Sequence, residues 1–183
     1  NTQKLFQIGL CSSGKLRSRY IVPWFNKNGD LTGMTGRYYK DFPTEGIVKW
    51  RHEGRTSEAL FPIHLNDSII REKKEIILLE SPGDCLALWE MGKKNTIVCF
   101  GTRASSKVIN YISGIYGLRK IWISFNDDRG VNKELAGNCA AIKLKKKLSK
   151  LFNEEKIGIV FPPNGCNDWS AYWTEKNKKL LTA

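Results

Sequence analysis

The sequence predicts an α/β protein: a mainly parallel sheet with helices on both faces, preceded by a small, basic, strand-rich subdomain. Three observations predict it. From Glu75 onward, short apolar runs alternate with helical patterns, which is the signature of right-handed βαβ crossovers. Two of those runs lead into acids: Glu75–Glu80 ends in Glu80, and Lys120–Phe125 runs into Asn126-Asp127-Asp128. Up to about Asp67 the pattern is instead one of short strands and turns.

In the N-terminal part, Arg19–Phe25 reads as a strand, Asn26-Lys-Asn-Gly-Asp30 as a turn cluster, and Leu31–Tyr39 as the returning strand of a hairpin. Lys40–Glu58 reads as a loop rich in Pro, Gly and charge. In the second part the predicted strands are Glu75–Glu80, Asn95–Phe100, Lys120–Phe125 and Lys156–Phe161. The predicted helices are Gly83–Met91, Ser105–Tyr116, Leu135–Phe152 and Asp168–Lys178. The division expected is 1–72 and 73–183. The third helix carries an apolar seam at Ala141, Leu144, Leu148 and Leu151, and lysines at 143, 145, 146, 147 and 150 on its other face. A solvated face is the favoured reading of those lysines over a phosphate-tracking one.

The chain has 183 residues, 41% of them hydrophobic, enough to bury a real core. No apolar stretch approaches the ~20 residues that would span a bilayer, and no membrane partner is expected. The start, Asn1-Thr-Gln-Lys, lacks both an initiating Met and a following apolar block; a piece of a longer protein is expected. The net charge of +12 and pI of about 9.6 predict a polyanionic partner, nucleic acid first. Five cysteines without a CxxC pair argue for a reducing compartment, with Cys85, Cys99 and Cys139 read as buried thiols. His52 and His64 have no partner at ligand spacing and read as structural or surface residues.

Gly9-Leu-Cys-Ser-Ser-Gly14-Lys15 fits GxxxxGK, but Leu16 stands where a Ser or Thr would hold magnesium, and a strand rather than a helix follows. A phosphate loop needs a helix N-terminus behind it, so a Gly/Ser turn is the better reading. The acids carry more. Two parallel strands that end in acids place them side by side at the carboxyl edge, where such folds bind ligands. Glu80, Asp84, Asp127 and Asp128 there point to hard divalent cations and phosphoryl chemistry. Asp168 is equally well placed as a metal ligand and as N-cap of the last helix.

The order of these motifs resembles a TOPRIM domain from about Glu75 to Tyr172, and the whole chain resembles the RNA-polymerase core of bacterial and phage primases. The resemblance rests on Glu80 through Asp84, on Ile97-Val-Cys-Phe-Gly101-Thr102, on Phe125-Asn126-Asp127-Asp128 followed by Ala136-Gly137-Asn138, and on Pro162 to Asp168. Arg19-Tyr-Ile-Val-Pro23, the Gly29 turn and Met34-Thr-Gly36-Arg37 carry it in the N-terminal part. It implies template-directed joining of ribonucleoside triphosphates on single-stranded DNA, in the cytoplasm of a bacterial or phage-infected cell. It implies Mg²⁺ or Mn²⁺ on Glu80, Asp127 and Asp128, with Asp84 and Asp168 as further ligands. Glu80 and Asp128 are the implied catalytic residues, with Glu80 also the general base. Arg17, Arg19, Arg37, Lys49 and Arg51 are the expected template and triphosphate contacts. A zinc-binding module and a helicase are implied further partners. Ser81, Asn126 and Cys166 depart from the pattern; the amide of Asn126 brings no charge, so weaker metal binding is expected there. A nuclease- or topoisomerase-type TOPRIM enzyme, or a non-catalytic nucleic-acid-binding module, are the alternatives.

Overall fold

The computed structural model of the chain describes residues 2–40, 46–129, 134–163 and 165–181. After a short helix α1 (Thr2–Leu5), four strands form an antiparallel sheet: β1 (Gly9–Cys11), β2 (Arg19–Phe25), β3 (Leu31–Tyr38) and β4 (Trp50–Glu53), in spatial order β1-β2-β3-β4. The β2–β3 hairpin is the predicted one. Its turn closes because the Asn26 side-chain oxygen accepts the backbone N–H groups of Asn28 and Asp30, at 2.9 and 3.0 Å. β4 lies inside the stretch read as a loop, of which 41–45 fall outside the described residues. The Gly9–Lys15 segment forms β1 and a single 3₁₀ turn at Gly14–Leu16, so no helix N-terminus stands behind it.

The expectation that strands and turns run to about Asp67 is corrected by helix α2 (Ile63–Lys73). Ile63, Asn66 and Ile70 recur every three to four residues and are buried. The Asn66 amide donates to the carbonyls of Lys94 and Thr96, at 3.0 and 2.6 Å, and so fastens this helix to the following unit.

That unit is a wholly parallel sheet of β5 (Glu75–Leu79), β6 (Thr96–Val98), β7 (Lys120–Ser124) and β8 (Ile157–Ile159), in the order β6-β5-β7-β8. The intervening and following helices are α3 (Pro82–Glu90), α4 (Ser106–Ser113), α5 (Ala136–Leu148) and α6 (Trp169–Leu181). Period-two alternation divides the strands between two cores. Ile76, Leu78, Ile121 and Ile123 pack with α2, α4 and α5. Leu79 and Val98 pack with Leu88 and Trp89 of α3, Phe6, and Val22 and Trp24 of the antiparallel sheet. The two sheets therefore share one core. Trp24 sits at its centre, 1% exposed, its ring 4.6 Å from Phe100 and its indole N–H donating to Thr35. Gly33 is required beneath it, since a Cβ there would lie 2.5 Å from the Trp24 ring.

Two packing expectations are corrected. The α5 seam buries Ala141, Leu144 and Leu148, but the helix ends before Leu151, which is exposed. Cys139 is exposed on α5, whereas Cys166 is buried and donates its S–H to Glu175 at 3.1 Å.

Candidate active site at the carboxyl edge

β5 and β7 run parallel in register, Leu79 beside Ser124, so the residues that follow them emerge together at the carboxyl edge. Glu80 is the first residue past β5. Its carboxylate accepts the backbone N–H of Asn126 at 3.0 Å, which ties the two strand ends. Gly137, at the start of α5, makes this approach possible: a Cβ there would stand 2.4 Å from the Asn126 carbonyl and 3.0 Å from the Glu80 carboxylate. Burial pushes the Glu80 carboxyl above its ordinary value, the Asn126 N–H pulls against that, and the negative charges of Asp128 and Asp168 add to it.

Asp128 turns toward α5. Its carboxylate accepts the backbone N–H of Gly137 and the Asn167 amide, while its own N–H donates to Asn138. Asp127 behaves differently. Arg129 grips both of its oxygens, at 2.8 and 2.7 Å, and Asn138 donates to one of them. The Arg129 hydrogen bonds hold its carboxyl well below the usual carboxylate range. Asp84 lies beneath the edge, 2% exposed. Ser81 Oγ donates to one oxygen at 2.7 Å and the Trp169 N–H to the other at 3.0 Å. Burial, then the Asp168 charge, push its pKa up to about 7. Asp168 accepts the Ala171 N–H at 2.7 Å and so caps α6.

Glu80 thus feels the charges of Asp128 and Asp168, and Asp84 those of Asp168 and Glu80. Asp127 is neutralised apart from them. Among the described residues, no three His, Cys, Asp or Glu side chains are gathered closely enough to hold a metal ion on their own. The donor set still suits a hard divalent cation, being all oxygen, with carboxylates whose repulsion such an ion would relieve.

A cleft of about 200 Å³ opens beside Glu80, walled by Trp50 and His52 of β4 and by Phe100, Gly101 and Asn126. The antiparallel sheet thereby forms one side of the site. The basic residues expected to contact nucleic acid do not share a surface. Arg19 is 5% exposed, its guanidinium bonded to the carbonyls of Gly36, Lys49 and Val48. Three backbone acceptors thus already occupy the group expected to contact template. Arg51 pairs with Gly36 and is exposed on that same outer face. Arg37 sits in register between Tyr20 and Trp50, on the face that holds the cleft. Arg17 and Lys49 are exposed, on the segments before β2 and β4.

Sequence reasoning missed Asn138 and Asn167, which position Asp127 and Asp128, and Arg129, which holds Asp127. His52, read as structural or surface, is exposed with its Nδ1 3.0 Å from Thr35 Oγ1, and its ring also walls the cleft. An acid followed by Arg two positions on, as in Asp127-Asp128-Arg129, was the signal available.

No protein-family model matches the chain. Among proteins of known function, a DNA primase of Chlamydia pneumoniae is 27% identical over 120 residues, covering 66% of this chain and 18% of that protein. The chain thus spans less than a fifth of that relative's length. Among solved structures, the Aquifex aeolicus primase (zinc binding and RNA polymerase domains) superposes with a TM-score of 0.74 at 19% identity, over 99% of this chain and 51% of that one. A primase catalytic domain bound to single-stranded DNA superposes with a TM-score of 0.66 at 18% identity, over 100% of this chain and 60% of that one. The fold is that of the primase catalytic core: an antiparallel, strand-rich part joined to a TOPRIM-type parallel sheet.

Proposed function

We propose that the chain is the catalytic core of a DNA primase, joining ribonucleoside triphosphates into a short primer on single-stranded DNA. The observation that carries this reading is the Glu80 carboxylate, which feels the charges of Asp128 and Asp168, at the carboxyl edge of a primase-type fold, beside the Trp50–His52 cleft. Glu80 and Asp128 would hold Mg²⁺ or Mn²⁺, with Asp168 near them. Asp127 serves instead as a strut, held by Arg129. The bound cation would neutralise triphosphate charge and lower the pKa of the attacking 3′-hydroxyl. Glu80, its proton affinity already raised by burial, accepts the proton of that hydroxyl. Gly137 and the Asn126 N–H keep its carboxylate at one place.

Template DNA enters over the cleft face of the antiparallel sheet, past Arg37 and Trp50. A zinc-binding module and a helicase are the further partners expected of such a core, and 1–72 and 73–183 its two subdomains. Product analysis tests the reading. With Mn²⁺, ribonucleoside triphosphates and a single-stranded template, short RNA products are expected. Cleavage of the DNA instead would point to a nuclease. Binding without product would leave a nucleic-acid-binding module.

A further inference from the structure

A second cavity, of about 570 Å³, lies between the loop after β6 and helix α5, which begins at the carboxyl edge. Thr102 and Arg103, from the loop after β6, form one wall, and the α5 residues Cys139, Lys143 and Lys147 form the other. Chain neighbours link it to the active-site cleft. Gly101 lines that cleft, and Gly137, beside Glu80, begins the helix that walls this cavity.

Its charge is lopsided. Glu134 is the acid on its wall, against Arg103, Lys143 and Lys147. Those three cations are exposed and, among the described residues, have no acidic partner; on the same helix Lys145 does, Glu154 at 3.3 Å. Lys143 and Lys147 stand four residues apart on the helix. Like charges at that spacing repel and destabilise a helix. The helix dipole accounts for lysines in the last turn, Lys145 to Lys147. It does not account for Lys143, in mid-helix, or for Arg103, which is not on the helix. A concave wall of unpaired cations focuses potential and attracts phosphate.

We propose that this cavity holds the phosphodiester backbone of a nucleic-acid strand, with Arg103, Lys143 and Lys147 as the phosphate contacts. The inference rests on the reading of the acidic edge as a nucleic-acid-processing site. It departs from the sequence-based preference for a solvated lysine face, because the structure makes part of that face the wall of a cavity.

The test measures binding of the whole chain to oligothymidylates across a salt series, without metal or nucleotides. Each phosphate contact on a single strand contributes about 0.7 to the slope of log affinity against log salt. Arg103→Ala/Lys143→Ala/Lys147→Ala should therefore lower that slope by roughly 2 and weaken low-salt affinity roughly tenfold. Lys93→Ala/Lys94→Ala, which removes two cations elsewhere, should change neither. Cys139 supplies a second readout. A bound oligonucleotide should slow its alkylation, read by peptide mass spectrometry, in the wild type and not in the triple variant.

An unchanged slope, an equal effect of the Lys93/Lys94 control, or alkylation of Cys139 at its free rate in the complex would each overturn the proposal. Protection by inorganic tripolyphosphate equal to that by the oligonucleotide would also overturn it, since the cavity would then take free phosphate. A chain that binds DNA through these residues but makes no primer defeats the functional reading and leaves this one. A chain that makes primers while the triple variant keeps its slope defeats this one alone.

Discussion

Asp84 is nearly inaccessible, yet it carries a carboxyl whose pKa burial raises to about 7, against an ordinary ~3.9. The folded chain therefore keeps a proton that the unfolded chain has already released. The sign follows from linkage: stability is fully present below about pH 4 and is lost as pH rises toward 7, by no more than about 1.4 kcal/mol per pH unit. Glu80, also raised, adds to the same trend. Asn at 84 keeps the acceptor for the Trp169 N–H, and its NH₂ group can donate to Ser81 Oγ. Asp84→Asn should thus reduce the fall in Tm between pH 5 and pH 8, leaving the share due to Glu80. Thermal unfolding across that range checks it, and an unaltered slope would show that Asp84 is ionised at no cost.

At the scale of elements, the antiparallel sheet has two faces with different duties. Arg19 on the outer face clamps the segment before β4 to β2 and β3, its guanidinium 5.6 Å from the Tyr38 ring centre. Arg19→Ala would remove the side-chain donor to the Val48 and Gly36 carbonyls and leave that of Lys49 with the Tyr38 N–H alone. A loss of about 2–4 kcal/mol is expected, with little change in the salt dependence of DNA binding. Arg37→Ala, on the cleft face, should do the reverse: a salt slope lower by about 0.7 at nearly unchanged stability. Denaturant titration and salt-dependent binding separate the two roles. The hairpin was legible because its strands are long and its Asn-Gly turn is explicit. β4 was not: four residues, Trp-Arg-His-Glu, give no apolar alternation, and partners on β3 make the strand. α2 was not, because it follows Pro62 without a capping side chain and draws its fastening from Asn66 across 30 residues. In the site, the strand-end acids could be read from the chain. The capture of Asp127 by Arg129 and the supports from Asn138 and Asn167 depend on which loops the sheet brings together.

Over the whole molecule, a net charge of +12 surrounds an edge where four acids crowd together. The shared core of Val22, Trp24, Leu79 and Val98 holds the antiparallel sheet against the parallel one, so the cleft at Glu80 has walls from both. On the proposed reading, that arrangement separates binding, assigned to cations, from chemistry, assigned to the carboxylates. The most direct measurement is RNA synthesis from ribonucleoside triphosphates on single-stranded DNA with Mn²⁺ by Glu80→Gln, beside its DNA affinity. Gln keeps the shape and an acceptor for the Asn126 N–H but has neither charge nor base. Synthesis should fall by about 10²–10⁴-fold while Tm and template affinity stay near those of the unaltered chain. Full activity in Glu80→Gln would contradict the account and place the chemistry elsewhere.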